Sequence, residues 1–198
     1  MKYLWLAIFC SVLLWSGVNP KDSFIWFLEV APALIGLIIL AVTFKTFRLT
    51  TLTYVLILTH SIILMVGGHY TYAEVPFFDW IKEYFDLARN NYDKIGHFAQ
   101  GFIPAIIARE ILLRKNVVTQ SSWLVFIVVS ICLAFSAFYE LIEWRVAELS
   151  GESAEAFLGT QGYIWDTQSD MAFALLGSVI ALIIFSRVHD KQLRGKGV

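Results

Sequence analysis

The sequence has few charged residues and only two cysteines. Lys, Arg, Asp and Glu make up 16% of the 198 residues, whereas a soluble globular domain has about 25%. The formal net charge of −1 excludes a strongly basic surface for nucleic acid. Cys10 and Cys132 each lie within an apolar run, so we predict neither a disulfide nor a cysteine metal site. We interpret both as small buried hydrophobic residues.

Apolar runs account for most of the chain, and hydrophobic residues make up 58% of it. A helix rises about 1.5 Å per residue, so about 20 residues cross a hydrocarbon core of about 30 Å. We predict an all-α, polytopic membrane protein with one transmembrane domain over residues 1–198. About six transmembrane helices are expected near 3–18, 24–44, 49–68, 94–114, 118–143 and 167–187.

The first apolar run also has the length of a secretory signal peptide. It lacks a small-x-small cleavage site before Pro20. We therefore favour retention of this run as the first transmembrane helix.

Basic residues are distributed unevenly between the predicted connections. If the N-terminus is cytoplasmic, ten of the fifteen Lys and Arg residues lie on the cytoplasmic side and five lie outside. Lys and Arg near helix ends favour the cytoplasmic side of a membrane. We therefore predict a multi-pass protein in the lipid bilayer with both termini cytoplasmic.

The connection after the third run contains an amphipathic stretch. Aromatic and apolar residues recur at helical spacing on one face of residues 76–91, and charged residues recur on the other. Pro76 suits the first position of a helix. We predict a short amphipathic helix over about 76–91 in the outer interface, with a lid over a site as the alternative.

Three pairs of ionisable residues lie at the outer ends of the last three predicted spans. The members of each pair are three or four residues apart and therefore share a helix face. The pairs are Asp93 with His97, Glu140 with Glu143, and Asp166 with Asp170. Because the predicted topology places these ends on one side of the membrane, we expect one histidine and five carboxylates at a similar depth.

The predicted group has more acids than bases, since Lys94 and Arg145 are the nearby cations. Each charge in a bilayer costs roughly 2.5–3.5 kcal/mol on insertion scales. Some carboxylates must therefore be protonated, solvated or neutralised by a cation. We hypothesise a divalent metal ion whose ligands are Asp93, His97, Glu140, Asp166 and Asp170.

A metal at this position could activate water against an ester or phosphate. The hypothesis is a metal-dependent membrane hydrolase that acts on, or binds, an envelope lipid or a lipid-linked substrate. Glu140 or Asp166 is the candidate catalytic base. Five residues are predicted to support the site: Lys94, Glu143, Arg145, His69 and Tyr72.

Two other functional classes stay open. The polar group could be an ion-paired cluster that holds the helices in register in a structural or lipid-binding module. Alternatively, the carboxylates and His60 could form a relay in a small ion or solute transporter. Against transport, the cytoplasmic half shows no matching chain of polar groups, and Arg109 and Glu110 are interpreted as an interfacial anchor.

Five long motifs run from about residue 60 to Gly177, which is more than half of the chain. They are "GGHYTYAEVPFFDW", "YDKIGHFAQGF", "AREILLRK", "SAFYELIEW" and "AFLGTQGYIWDTQSDM". Together these motifs closely resemble the YjdF-like family of bacterial inner-membrane proteins. This family is a domain of unknown function, so the resemblance implies a bacterial inner-membrane location and a helical architecture, but no reaction.

The chain is also distantly similar to the VanZ-like family, which is linked to glycopeptide-antibiotic resistance. Those proteins carry an Asp-Lys-x-x-His-Phe element, here residues 93–98, and a later Glu, here Glu140. They also carry an Asp-x-x-x-Asn element, but this sequence has Asp170 where the Asn is expected and Ala174 where a Gly follows. The similarity implies that the polar group belongs to a shared scaffold.

Overall fold

The structure is a computed structural model that describes residues 2–150 and 160–196. These residues form seven helices and no strand. In chain order the helices are α1 Lys2–Gly17, α2 Ser23–Thr43, α3 Thr51–Tyr70, α4 Pro76–Tyr84, α5 Tyr92–Arg114, α6 Ser122–Ser150 and α7 Asp166–Arg194. The prediction of an all-α fold is confirmed for the described residues.

Four helices are long and apolar enough to cross a membrane, namely α2, α3, α6 and α7. Many of their large apolar side chains face outward, and Val42, Phe126 and Ile183 are 75%, 63% and 74% exposed. An outer surface of this kind suits contact with lipid. The other two predicted spans differ from these four. α1 has only 16 residues, and α5 has 23 residues with ionisable groups in its first and last turns.

The two cysteines separate in the fold. Cys132 is buried, as predicted, but the prediction for Cys10 is wrong because this residue is exposed. Apolar composition cannot distinguish the two faces of a membrane helix, since both the packed face and the lipid face are apolar.

The last two long helices extend beyond their predicted bounds. α6 runs to Ser150, and α7 covers Asp166–Arg194. In both cases the helix continues into polar residues beyond the apolar run. Hydropathy alone therefore underestimates the length of the helix. α6 begins at Ser122, later than predicted, and Asn116 in the connection from α5 adopts a left-handed φ of 54°.

The amphipathic helix is shorter than predicted, since α4 ends at Tyr84. Pro76 lies in its first turn, as expected. Asp86 adopts a left-handed φ of 51°, which interrupts the helix before residues 85–91 lead into α5. Phe77, Trp80 and Tyr84 stack along the exposed face, with successive ring centroids 5.9 and 5.5 Å apart.

α5 is the central helix of the bundle. It packs against α3, α6 and α7, and most extensively against α7. Leu56, Ile103, Ile106, Val128 and Ala181 belong to the apolar core that these four helices share. α1 and α2 pack on α3, where they form a second apolar cluster around Phe9, Val30 and Met65.

The backbones of α5 and α7 touch at two glycines. A Cβ atom on Gly101 would overlap the carbonyl oxygen of Ala174, and one on Gly177 would overlap that of Phe98. Both obstacles are backbone atoms, so rotation of a side chain cannot relieve either overlap. Small residues allow membrane helices to approach closely in this way. The contact brings the first turns of α5 and α7 together.

The substitution Gly101→Ala should therefore separate α5 from α7. We expect the free energy of unfolding to fall by at least the roughly 1–3 kcal/mol that overpacking costs. Gly36→Ala is the matched control, because a Cβ atom at Gly36 in α2 meets nothing within 4 Å. Unfolding in mixed detergent micelles measures both variants. Equal stability of the two would contradict the close backbone contact.

Candidate functional site

Ionisable side chains from four parts of the chain converge at the first turns of α5 and α7. The group, here termed the acidic cluster, contains six carboxylates and three basic side chains, each exposed by 9% or less. Its members are Glu29, Arg89, Asp93, Lys94, His97, Glu140, Glu143, Asp166 and Asp170. The sequence-based expectation that the three acidic and histidine pairs meet is therefore what the structure shows.

One half of the acidic cluster is paired with cations. The Lys94 ammonium lies 2.7 Å from Asp166 Oδ1 and 2.5 Å from Asp170 Oδ1. The Arg89 guanidinium donates to Asp166 and lies 3.2 Å from Asp93 Oδ2. These contacts link the start of α5 to the start of α7, and they engage three of the carboxylates.

His97 joins this paired half to the remaining acids. Its Nε2 lies 3.2 Å from Asp93 Oδ1 and 3.8 Å from Asp170 Oδ2. Its Nδ1 faces the other way, 3.2 Å from Gln100 Oε1 and 3.7 Å from Glu140 Oε1. The imidazole therefore has one nitrogen in each half of the cluster.

The half that contains Glu140 and Glu143 has unsatisfied polar atoms. Within the described residues, Glu140 Oε1 is buried and has no hydrogen-bond partner. The same is true of Ser136 Oγ, which lies one helical turn before Glu140 on α6. Buried polar atoms without a partner are rare in folded proteins, and each is a reason to look for a bound ion or water.

Among the residues that the structure describes, two sets of side chains offer ligand atoms that lie within 4.8 Å of one another. One set is Asp93, His97 and Asp170, and the other is His97, Glu140 and Glu143. Only His97 belongs to both.

The cluster carries an excess of negative charge. Six carboxylates face the two permanent cations Arg89 and Lys94, an excess of four, or of three when His97 is protonated. Carboxylates this close cannot all ionise without protonation of some of them or a compensating cation. The arrangement thus has the charge and the donor atoms that a divalent cation requires.

Comparison with known proteins identifies the family of this chain. Residues 1–191 match the model of a family described as predicted membrane protein (DUF2238). The chain belongs to this family. It is also 48% identical to the inner membrane protein YjdF of Escherichia coli (strain K12) over 187 residues, which is 94% of this chain and 90% of that protein. The resemblance to the YjdF-like family is therefore confirmed. No solved structure matches.

Two predicted supporting residues of this family member lie away from the acidic cluster. Arg145 is exposed and pairs with Glu148 on the same helix. The Nδ1 atom of His69 lies 3.0 Å from the carbonyl oxygen of Ser16, and its ring packs on Trp15 at 4.7 Å between centroids. Arg145 follows Glu143 by two residues, so the helix turns it toward a different side.

Tyr72, a predicted supporting residue, is buried and lies next to the acidic cluster. Its hydroxyl lies beside the carboxyl group of Glu29. Thr71 and Tyr72 both adopt a left-handed φ, of 59° and 53°, directly after α3. This turn directs the Tyr72 side chain back into the bundle.

Arg89 and Glu29 belong to the acidic cluster but are absent from the predicted site. The predicted interfacial helix includes Arg89, whereas in the structure Arg89 lies between α4 and α5 and pairs with Asp93. Glu29 lies 6% exposed on α2, within electrostatic reach of Asp93 and His97. Its burial within an apolar run was the available signal, because a carboxylate there needs a partner.

A second buried polar group lies at the opposite end of α5, around Glu110, which is fully buried. Its carboxylate accepts hydrogen bonds from the Thr50 backbone N–H at 2.8 Å and from the Thr53 hydroxyl at 2.7 Å. It also lies 2.8 Å from Arg114 and 3.3 Å from His189. These bonds tie α3, α5 and α7 together.

The prediction that this half of the protein lacks matching polar groups is therefore wrong. The interpretation of Arg109 as an interfacial anchor is also incomplete, since its guanidinium lies 2.5 Å from Asp190 and 3.2 Å from His189. The apolar core that includes Ile103 and Ile106 lies between this group and the acidic cluster. A layer of this kind argues against a continuous polar path through the bundle.

Proposed function

We propose that this inner-membrane protein binds one divalent metal ion through His97, Glu140 and Glu143, and that the ion holds the anionic headgroup of an envelope lipid. One observation carries the proposal. The buried Glu140 carboxylate has an oxygen without a hydrogen-bond partner among the described residues, next to His97 Nδ1 and Glu143. A cation at this position would satisfy that oxygen and offset the acidic excess.

The alternative ligand set is less suited to a metal. Asp170 is engaged by Lys94 at 2.5 Å, and Asp93 contacts both Arg89 and Lys94. A metal there would have to displace an ammonium or guanidinium group. Asp93 has a different role in the proposal. Histidines that ligate metals commonly donate their second ring N–H to a carboxylate, and His97 Nε2 lies 3.2 Å from Asp93 Oδ1.

The ligand atoms also restrict which metal ions suit the site. Imidazole nitrogen together with carboxylate oxygen suits Zn²⁺ or Mn²⁺, whereas Ca²⁺ binds oxygen ligands. Such an ion supplies a positive charge and polarises a bound oxygen. The chain itself supplies the three ligands and the carboxylate that orients the imidazole.

The surroundings favour a lipid as the molecule that the ion contacts. Ile164 and Trp165 are 84% and 59% exposed directly before α7, which begins with the cluster residue Asp166. Exposed aromatic residues at helix ends lie at the level of lipid headgroups. Tyr163 lies over both Lys94 and Arg89, with each cation 5.7 Å from the ring centroid.

A metal-dependent hydrolase is the second candidate, and the unpaired oxygen of Glu140 favours it. A carboxylate in that state can accept a proton from water. Asp166 is the weaker candidate base, because Arg89 and Lys94 both engage its Oδ1. The substrate would be an ester or phosphate of an envelope lipid or lipid-linked molecule.

A purely structural role is the remaining alternative. The ion pairs of Lys94 and Arg89 favour it, since they connect α5 to α7 without any ligand. The apolar layer between the two buried polar groups weighs against a transporter.

In the proposed topology the chain crosses the membrane six times, with both termini in the cytoplasm. α1 and α5 would then span the membrane together with the four long apolar helices. The distribution of Lys and Arg supports this orientation. A fluorescent reporter that folds only in the cytoplasm, fused to the C-terminus, tests it.

Metal analysis of the purified protein tests the proposal. We expect one Zn²⁺ or Mn²⁺ per chain and a stabilisation of about 2.7 kcal/mol when the added metal exceeds its Kd a hundredfold. His97→Ala should lose both effects. Elemental analysis and thermal unfolding in detergent measure them.

The control for this test is Glu148→Gln, which alters an exposed ion pair. It should bind and respond to metal like the unaltered protein. If the unaltered protein binds no metal and His97→Ala is simply less stable, the cluster is structural and the proposal fails.

A further inference from the structure

A cleft separates α1 from α2 at the end of the bundle opposite the acidic cluster. The two helices contact each other near Ser16, whose hydroxyl oxygen accepts a hydrogen bond from Trp26 Nε1 at 3.1 Å. Toward the start of α1 the helices line an open cavity of about 360 Å³. Its walls are apolar and include Trp5, Leu6, Leu37, Leu40 and Phe44.

Two cations, Lys2 and Arg48, line this cleft. Neither has a carboxylate within ion-pair distance among residues 2–150 and 160–196. The Arg48 guanidinium lies over the Phe44 ring, 5.4 Å from its centroid. The indole N–H of Trp5 is already used, since it donates to the Tyr54 carbonyl oxygen at 2.7 Å. The charged groups that the cleft offers to a ligand are therefore both positive.

We infer that the cleft binds one acyl chain of an anionic phospholipid, whose phosphate contacts Lys2 and Arg48. The volume lies within the roughly 300–1,000 Å³ of small-molecule sites. Basic pockets between membrane helices bind anionic headgroups. The two positive charges complement the phosphate, and the apolar walls complement the chain. This site is separate from the proposed metal site and does not depend on it.

Charge recognition is tested by removing one cation inside the cleft and one outside it. Lys45 is also exposed but does not line the cleft, so Lys45→Gln is the matched control for Arg48→Gln. The full-length protein in neutral detergent is titrated with phosphatidylglycerol or phosphatidylcholine, and bound lipid is counted by native mass spectrometry.

We expect the unaltered protein to retain one phosphatidylglycerol in preference to phosphatidylcholine. Arg48→Gln should weaken phosphatidylglycerol binding about fivefold, the effect of one basic residue near a lipid surface. Lys45→Gln should change it by less than about twofold. Equal losses in both variants, or equal binding of the two lipids, would mean unspecific attraction to the surface and would overturn the inference.

Occupancy of the cleft is tested by filling it. Ala41 lines the cavity, whereas its neighbour Val42 is 75% exposed and does not. Ala41→Phe should abolish retention of the lipid, and Val42→Phe should leave it unchanged. If Ala41→Phe folds and still retains phosphatidylglycerol, the lipid binds elsewhere and the cleft is not its site.

Discussion

Glu143→Gln is expected to lower the affinity for Zn²⁺ or Mn²⁺ by more than the roughly hundredfold that a change outside the ligand set can cost. The substitution replaces a charged ligand oxygen with a neutral amide of the same shape. Glu143 is 6% exposed, and its ligand atom lies within 4.8 Å of those of His97 and Glu140. Metal affinity is measured by calorimetric titration of the metal-free protein.

Asp170→Asn is the matched comparison, because it makes the same chemical change in the other ligand set. The Asp170 carboxylate already contacts Lys94 at 2.5 Å. We therefore expect the Asp170→Asn substitution to reduce metal affinity by at most about tenfold. A large loss in Asp170→Asn with little loss in Glu143→Gln would assign the ion to Asp93, His97 and Asp170 instead.

The same two variants should differ in the metal-free state. Glu143→Gln removes one carboxylate from an excess of three or four, and we expect the metal-free protein to become more stable. Asp170→Asn weakens a buried ion pair, so it should become less stable. Opposite signs in thermal unfolding distinguish a ligand group from an ion-paired group.

Lys94→Ala should cost about 3–5 kcal/mol of the free energy of unfolding, because it leaves buried carboxylates without their partner. The ammonium contacts three carboxylates, with distances of 2.5 Å to Asp170, 2.7 Å to Asp166 and 3.4 Å to Asp93. Its side chain is only 8% exposed, so solvent cannot replace these contacts. Reversible unfolding in mixed detergent micelles gives the free energy.

Arg145→Ala provides the control, since it removes a cation from an exposed ion pair of the same protein. The Arg145 and Glu148 side chains are 61% and 50% exposed. Pairs of this kind contribute about 0–1 kcal/mol, so little change is expected. If Lys94→Ala is too unstable to purify, Lys94→Gln supplies a milder measurement. A loss no larger than that of Arg145→Ala would show that the Lys94 contacts contribute nothing to stability.

Ion pairing with Lys94 and Arg89 divides the acidic cluster into two parts with different expected roles. The part around Lys94 and Arg89 contains paired charges and joins α5 to α7. The part around Glu140 and Glu143 faces His97 Nδ1, has no Lys or Arg contact among the described residues, and includes the Glu140 oxygen that lacks a hydrogen bond. A folded Lys94→Gln protein should therefore keep its metal affinity, whereas Glu143→Gln should lose most of it.

The meeting of the three pairs was predictable from two properties of the sequence. Residues three or four apart share a helix face, and the predicted topology places the three pairs on one side of the membrane. The partners of each carboxylate were not predictable. Arg89 lies before α5 begins, so no helical periodicity connects it with Asp166, which it contacts across the bundle. Arg145 is close to Glu143 in sequence but lies on another side of α6. Sequence distance therefore suggested the wrong second cation.

Composition by itself determined that this chain forms apolar helices for a membrane, because transfer into lipid depends on the residue types within a segment. The sequence also identifies the ionisable residues in or beside the apolar runs, and such residues need partners in a membrane. Only the tertiary structure decided how those groups combine. The contact of α5 with α7 at Gly101 and Gly177 sets the rotation and depth of both helices. That setting, and not any local pattern, pairs Lys94 with Asp170 and leaves the Oε1 atom of Glu140 without a hydrogen bond from any described residue.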